Sequence, residues 1–160
     1  DRIAILDHGR LVQVGSPRDL YQAPATAFVA DFVGDMNFIP ARIVTEEGNK
    51  AVAAIGERTV PLRPGDAPSL NGAEDVELAV RPEHLLVSPG TSPKGLVGTV
   101  ERLIFQGASL SILITLSDAS RIRAQVDSRS PLAGLPAGSP VTVTWPPQYA
   151  HVFPSAHTIQ

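Results

Sequence analysis

Two short apolar runs open the chain on either side of a polar turn. Residues 3–6 and 10–14 flank Asp7-His8-Gly9, and apolar runs around a glycine-containing turn predict a β-hairpin. Ser16 then offers an N-cap, followed by a proline at the first helical position, which predicts a short helix ending near Gln22. The pattern therefore predicts a hairpin that leads directly into a helix.

A second short helix is predicted after Thr26, which can cap it, and before Gly34, which can end it. Its apolar residues recur at helical spacing and form one stripe: Phe28, Val29, Phe32 and Val33. A helix of two turns is not stable alone in water, so this stripe must pack against something. We expect it to dock on a preceding domain, on its own domain, or on a second copy of the chain.

Beyond Asp35 the pattern changes to the alternation of apolar and polar residues that is typical of strands. Turn signals rich in Pro, Gly and Asn separate these segments. Short strands at such regular spacing favour a small barrel or sandwich. The predicted strands cover residues 37–44, 50–55, 58–62, 76–80, 85–88, 96–105, 109–116, 121–126, 140–145 and 150–153.

The β region also contains an internal repeat. Residues 76–84 align with residues 141–149, since each copy has three alternating apolar residues that lead into a turn with proline at the same place. Val87 and Val152 match as the next apolar position. We therefore predict two related β units, about 37–90 and 95–156, although two unrelated strand–turn–strand segments could give the same pattern by chance.

Composition narrows the function classes. The 160 residues carry a formal net charge of −3 with no run of Lys or Arg, which argues against nucleic acid or an anionic membrane as a partner. There is no Cys, so disulfides, thiolate nucleophiles and cysteine-based zinc sites are excluded. No apolar run approaches the length of a membrane span, and the cytoplasm is the simplest compartment.

No motif for catalysis is present. The sequence has no G-x-x-x-x-G-K-[ST] phosphate loop, no G-x-G-x-x-G and no G-x-S-x-G, and its four His residues lack the spacing of metal ligands. The most concentrated polar motif is Arg81-Pro82-Glu83-His84, which has two interpretations. Arg81, Glu83 and His84 could contact an anion or a partner chain, or they could fix the exit from a strand by an ion pair. We expect no catalytic, cofactor-binding or metal-binding residue.

The first part of the chain resembles the end of the ATP-binding subunit of ABC importers. The residues that carry the resemblance are Asp1-Arg2-Ile3, Gly9, Gln13-Val14-Gly15, Pro17, Tyr21, Pro24, Phe28-Val29-Ala30, Phe32-Val33-Gly34 and Asn37. Later matches are Val80-Arg81-Pro82-Glu83-His84, Trp145 and Ala150-His151-Val152-Phe153. Ser16 and Val33 stand where that family usually has Thr and Ile. Around Phe105-Gln106-Gly107 the chain looks more like the polyamine and ferric-iron branch than the maltose branch.

The resemblance implies a fold and a role. It implies that residues 1–34 are the tail of a nucleotide-binding domain, and that residues 35–160 form a mainly β, TOBE-type domain of paired OB-like units. In that family this domain helps two ATPase subunits dimerise, and in some members it binds regulators or a transported solute. The resemblance implies a non-catalytic, regulatory and dimerising domain, with a small-ligand or oxyanion sensor as the alternative.

The family's catalytic motifs all precede the position of Asp1, so no catalytic residue is carried over. We expect this chain, which opens inside a strand, to be a fragment that holds no cofactor, while ATP and Mg would bind the preceding domain of the parent. The expected partners are a second copy of the chain and, for the parent, transmembrane permease subunits. No nucleic acid and no direct membrane insertion are expected. The parent would be cytoplasmic, peripheral on the inner face of the cell membrane.

Overall fold

The computed structural model describes residues 1–46, 50–63, 66 and 74–155. The chain divides into two compact units, residues 1–36 and 37–160. The sequence-based boundary was placed after residue 34. Among the described residues no helix is long and apolar enough to cross a bilayer. The sequence also predicts turns at Glu46-Glu47, Pro64-Gly65 and Asn71-Gly72, and of these residues all but Glu46 lie outside the described residues.

The first unit is the predicted hairpin followed by two short helices. Its elements are β1 (Ile3–Asp7), β2 (Arg10–Gly15), α1 (Pro17–Gln22) and α2 (Ala27–Phe32). Ser16 and Asp19 form a capping box at the start of α1, since the Ser16 side chain accepts from the Asp19 N–H while the Asp19 carboxylate accepts from the Ser16 N–H. A small core of Ile5, Leu20 and Val29 holds the unit together.

The described part of the second unit contains ten strands, which correspond closely to the ten predicted segments. They are β3 (Asn37–Glu46), β4 (Lys50–Ile55), β5 (Arg58–Pro61), β6 (Asp75–Val80), β7 (Leu86–Pro89), β8 (Leu96–Gln106), β9 (Ser109–Leu116), β10 (Arg121–Asp127), β11 (Pro140–Thr144) and β12 (Ala150–Pro154). Single 3-10 turns occur at Pro82–His84, Pro131–Gly134 and Pro147–Tyr149. A register shift in β8 falls between Val100 and Arg102. The sequence predicts a tight bend or bulge at Phe105-Gln106-Gly107, and this segment lies at the end of β8 and in the β8–β9 turn.

These strands form two antiparallel sheets with the same internal order. The first runs β12-β6-β3-β4-β5 and the second runs β7-β11-β8-β9-β10. Each predicted half, 37–90 and 95–156, supplies four strands to one sheet and its last strand to the other sheet. The halves are therefore joined by a reciprocal exchange of their last strands, β7 and β12. The predicted division between residues 90 and 95 separates the two halves in sequence but does not anticipate this exchange.

The two sheets share one apolar core. Alternate residues of β9, such as Ile112 and Ile114, meet Leu78 and Val80 of β6 in a single buried cluster. Because the exchanged strands also contribute to this cluster, through Ala150 for example, neither half can bury its own apolar face alone. The predicted fold, mainly β with paired OB-like units after a hairpin and two helices, is confirmed.

An asparagine ties the first sheet to the edge of the second. The Asn37 side-chain amide donates to the carbonyl oxygens of Val80 (3.1 Å) and Arg123 (2.9 Å). Its Oδ1 accepts from the Arg123 N–H at 2.7 Å. These bonds occupy the outward-facing backbone groups of Arg123 on edge strand β10, so this edge is closed by a side chain rather than by another strand.

Candidate functional site

The polar motif singled out from the sequence forms the 3-10 turn between β6 and β7. Arg81 is only 2 % exposed, whereas Glu83 is exposed and His84 is half-buried. The His84 ring stacks on the ring of Tyr149 with centroids 4.1 Å apart. The burial of Arg81 favours the interpretation in which this motif fixes the strand exit over the interpretation of an open anion site.

A second histidine lies close by, on the exchanged strand β12. His151 is buried opposite Ala79, with its Nδ1 3.5 Å from an Nη1 of Arg63. Arg63 also donates from Nε and Nη2 to Asp66 Oδ1, at 3.1 and 2.9 Å. Burial, reinforced by the positive charges of Arg63 and Arg81, lowers the pKa of His151 to about 4. Sequence reasoning grouped His84 and His151 only as conceivable zinc ligands, for which it preferred a structural role, and it did not connect His151 with Arg63.

The apolar stripe of α2 is divided by the structure. Val29 lies in the small core and Val33 packs against it. Phe28 and Phe32, 39 % and 67 % exposed, face outwards with ring centroids 5.8 Å apart. Any docking through this helix therefore depends on the two phenylalanines. The two valines instead pack in the core of the first unit.

A cavity with a volume of about 310 Å³ lies among the described residues, and sequence reasoning missed it. It lies between the β4–β5 turn, the β9–β10 turn and the start of β8. Glu57 and Asp118 each line it, two residues after the last strand residue, Ile55 and Leu116 respectively. The repeat thus places one carboxylate at the same position of each half. Its lining is Ile55, Gly56, Glu57, Arg58, Leu96, Val97, Leu116, Ser117 and Asp118.

The chemistry of this cavity is acidic at its turns and apolar between them. Arg58 is the one cation in the lining, and its Nη1 donates to the Pro93 carbonyl oxygen at 3.1 Å. Asp118 Oδ1 accepts from the Ser120 N–H at 3.0 Å, which holds that carboxylate at the turn. Two carboxylates around an apolar floor, one of them held by Ser120, suit a ligand with separated positive charges. Across the described ranges, no three His, Asp or Glu side chains lie together in a way that could hold a metal ion.

The comparison with protein families matches one segment of the second unit. Residues 78–153 match the TOBE domain family. This chain carries a TOBE domain. The matched segment begins in β6 and ends in β12, so it spans both the second sheet and the exchange of strands.

Two relatives match more than nine tenths of this chain. The spermidine/putrescine import ATP-binding protein PotA of Ruegeria pomeroyi is 36 % identical over 158 residues, which is 96 % of this chain and 41 % of the relative. The protein of the same name from Rubrobacter xylanophilus is 36 % identical over 149 residues, 91 % of this chain and 38 % of the relative. The TOBE chain corresponds to the C-terminal part of such proteins and spans about two fifths of their length. The resemblance to importer ATP-binding subunits is thereby confirmed.

A solved structure supports the fold independently. The cytoplasmic molybdate-binding protein ModG, with molybdate bound, superposes with a TM-score of 0.61 at 17 % identity. The match covers 74 % of this chain and 96 % of that chain. At this identity the likeness concerns the arrangement of strands, which is the OB-like pair predicted from the sequence.

Proposed function

We propose that this TOBE chain is the non-catalytic C-terminal regulatory and dimerisation domain of the ATP-binding subunit of an ABC solute importer of the polyamine class. The observation that supports it most is the match to importer ATP-binding subunits along nearly the whole chain. The parent would couple ATP hydrolysis to transport and would dock on permease subunits at the cytoplasmic face of the membrane.

The non-catalytic part of the proposal has a direct test. The purified chain, incubated with ATP and Mg²⁺, is expected to show no phosphate release above buffer and no nucleotide binding by calorimetry. The reason is that, on this proposal, ATP and Mg²⁺ bind the part of the parent subunit that precedes this chain. Turnover that survives repeated purification would contradict the proposal.

Dimerisation is assigned to the two outward phenylalanines of α2. Paired aromatic side chains that remain exposed are common anchors of protein interfaces. Sedimentation of the chain at high concentration is expected to show a dimer, and the Phe28→Ser/Phe32→Ser variant is expected to be a monomer. Leu11→Ser is the matched control, because Leu11 is 61 % exposed on β2 but lies outside the stripe. A monomeric wild-type chain would contradict this assignment.

The alternative function is a small-ligand sensor, and the 310 Å³ cavity favours one class of ligand for it. An oxyanion would be repelled by Glu57 and Asp118, whereas a linear diammonium ion would place a positive charge near each. Titration calorimetry with putrescine and with molybdate separates the two. Binding of putrescine that is lost in Glu57→Gln/Asp118→Asn but kept in Glu74→Gln would support the sensor. Binding of molybdate alone would reverse the choice of ligand class.

A further inference from the structure

The junction between the two halves is built around equivalent aromatic residues. His84 and Tyr149 each end the 3-10 turn of their repeat, and each turn leads into an exchanged strand, β7 or β12. Their rings stack at 4.1 Å with an interplanar angle of 21°. The stack therefore lies where both strands leave their own halves. A change in the charge of His84 acts on both crossings at once.

The neutral form of His84 fits this position better than the charged form. Its Nδ1 is buried and has no hydrogen-bond partner among the described residues. A proton on that nitrogen would create a buried donor without an acceptor and would add charge beside Arg81, which is buried on the same turn. Glu83, also on this turn, is exposed and is the nearest compensating carboxylate in sequence.

The surroundings of His151, on the exchanged strand β12, also favour the neutral imidazole. A neutral imidazole can accept at Nδ1 from the guanidinium of Arg63, 3.5 Å away. After protonation that nitrogen would become a donor facing a cation. Asp66, the carboxylate beside Arg63, is already held by two hydrogen bonds from the same guanidinium.

We propose that this junction is an acid-sensitive lock, in which neutral His84 and His151 hold the exchanged strands β7 and β12 in place and protonation releases them. Among the described residues, the charged groups around the two imidazoles are Arg63 after β5, whose partner is Asp66, and Arg81 and Glu83 at the end of β6; His84 also lies near His151. Tyr149 and Phe153 complete the aromatic contacts of the junction.

The direction of the pH effect follows from the proton balance. Burial lowers the pKa of His84, and burial with Arg63 and Arg81 lowers the pKa of His151 to about 4, from an ordinary value of 6.5. The folded chain therefore binds fewer protons than the unfolded chain, and stability is lost as the pH falls from about 6.5 towards about 4. Carboxylates contribute mainly below this range, so the interval from pH 6.5 to pH 5 reports on histidine.

The test is denaturant unfolding of the 160-residue chain at pH 6.5 and pH 5, followed by the fluorescence of Trp145. The folding equilibrium constant of the wild type is expected to fall about tenfold between the two from His151 alone. His84→Phe/His151→Gln, which keeps the stack and an acceptor for Arg63, should change less than about threefold. His8→Asn is the control and should follow the wild type, because His8 lies in the β1–β2 turn.

Amide exchange locates the effect and does not depend on the variants. At pH 5 the amides of β7 and β12 should lose protection before those of β3 and β4. Equal loss throughout the domain would overturn the lock, and so would an unchanged pH dependence in the double variant. Should that variant fail to fold, an NMR titration of the wild-type imidazoles decides. Values at or above 6.5 for both histidines overturn the proposal.

Discussion

The two halves of the β domain share one topology but close the edges of their sheets in different ways. In the first half, Ile39 faces Leu78, and two residues earlier Asn37 makes its three hydrogen bonds to Val80 and Arg123. In the second half, Leu96 faces Val143, and the residue two positions earlier is an exposed lysine, Lys94. The same place in the repeat thus carries a buried amide in one half and a solvated cation in the other.

The reason lies in the backbone that each residue meets. Arg123 pairs with Leu113, three residues before the end of β9, and Pro61 pairs with Val52, three residues before the end of β4. Pro61 is therefore the counterpart of Arg123, and it has no N–H for an asparagine oxygen to accept. A cavity of about 90 Å³ remains there, lined by Lys94, Pro61 and Trp145 among others. The two halves of this duplicated fold keep the same strand order. The residues beside their edge strands differ, because the two edges present different backbone hydrogen-bonding groups.

The largest expected effect comes from removing the closure of the first half. Asn37→Ala is expected to destabilise the chain by about 3 kcal/mol, because it leaves the Arg123 N–H and two carbonyl oxygens without their partner at a position only 7 % exposed. Urea unfolding monitored at Trp145 measures the change. The lysine at the equivalent place supplies the control.

Lys94→Ala should cost less than about 0.5 kcal/mol, since the side chain is exposed and, among the described residues, its backbone N–H makes the hydrogen bond of this residue, to Ser92 Oγ. Equal costs at positions 37 and 94 would show that the halves are closed alike and that the contrast drawn from the hydrogen bonds is wrong.

Much of this comparison could be read from the sequence, because the alignment of residues 76–84 with 141–149 places the two 3-10 turns in register. The apolar alternation likewise located the strands. The exchange of β7 and β12 could not be read, since alternation shows which face of a strand is buried but not which sheet it joins. Nor could the sequence show which site residues are accessible to solvent. Arg81 and Glu83 lie two positions apart on one turn, yet Arg81 is buried and Glu83 is exposed.

A second contrast concerns the close approach of β8 and β9. Gly98 faces Val141 as Ala41 faces Val76 in the first half, so the repeat holds glycine at one and alanine at the other. A Cβ on Gly98 would lie 2.6 Å from Ile114 Cγ2 and 2.9 Å from the Thr115 carbonyl oxygen. Gly98→Ala is therefore expected to cost about 2 kcal/mol.

The reciprocal change, Ala41→Gly, should cost about 1 kcal/mol, because it only adds backbone freedom and removes one methyl group. Thermal unfolding of the two single variants tests this order. A Gly98→Ala chain as stable as the wild type would mean that β8 and β9 can separate without loss.

The aromatic stack between the halves should contribute less. Tyr149→Ala removes the partner of His84 and is expected to cost about 1 kcal/mol at pH 7.5, since Tyr149 is partly exposed and the pair adds little beyond its buried area. Tyr149→Phe keeps the ring and should restore most of the loss. Equal stability of the Ala and Phe variants would show that the stack does not hold the junction.

The smallest effect is expected from relieving backbone strain in one of the two hairpin turns. The β4–β5 turn has Gly56 at φ +56, whereas the β9–β10 turn has Ala119 at φ +67, a left-handed conformation that a Cβ disfavours. Ala119→Gly should therefore stabilise the chain by about 0.5 kcal/mol, because relief of this strain exceeds the entropy that glycine adds to the unfolded state. Gly56→Ala should destabilise it by about 1 kcal/mol for the same reason in reverse. The denaturant midpoints of the two variants are therefore expected to move in opposite directions. A shift of both midpoints in the same direction would show that the left-handed backbone at these turns is not strained by a Cβ.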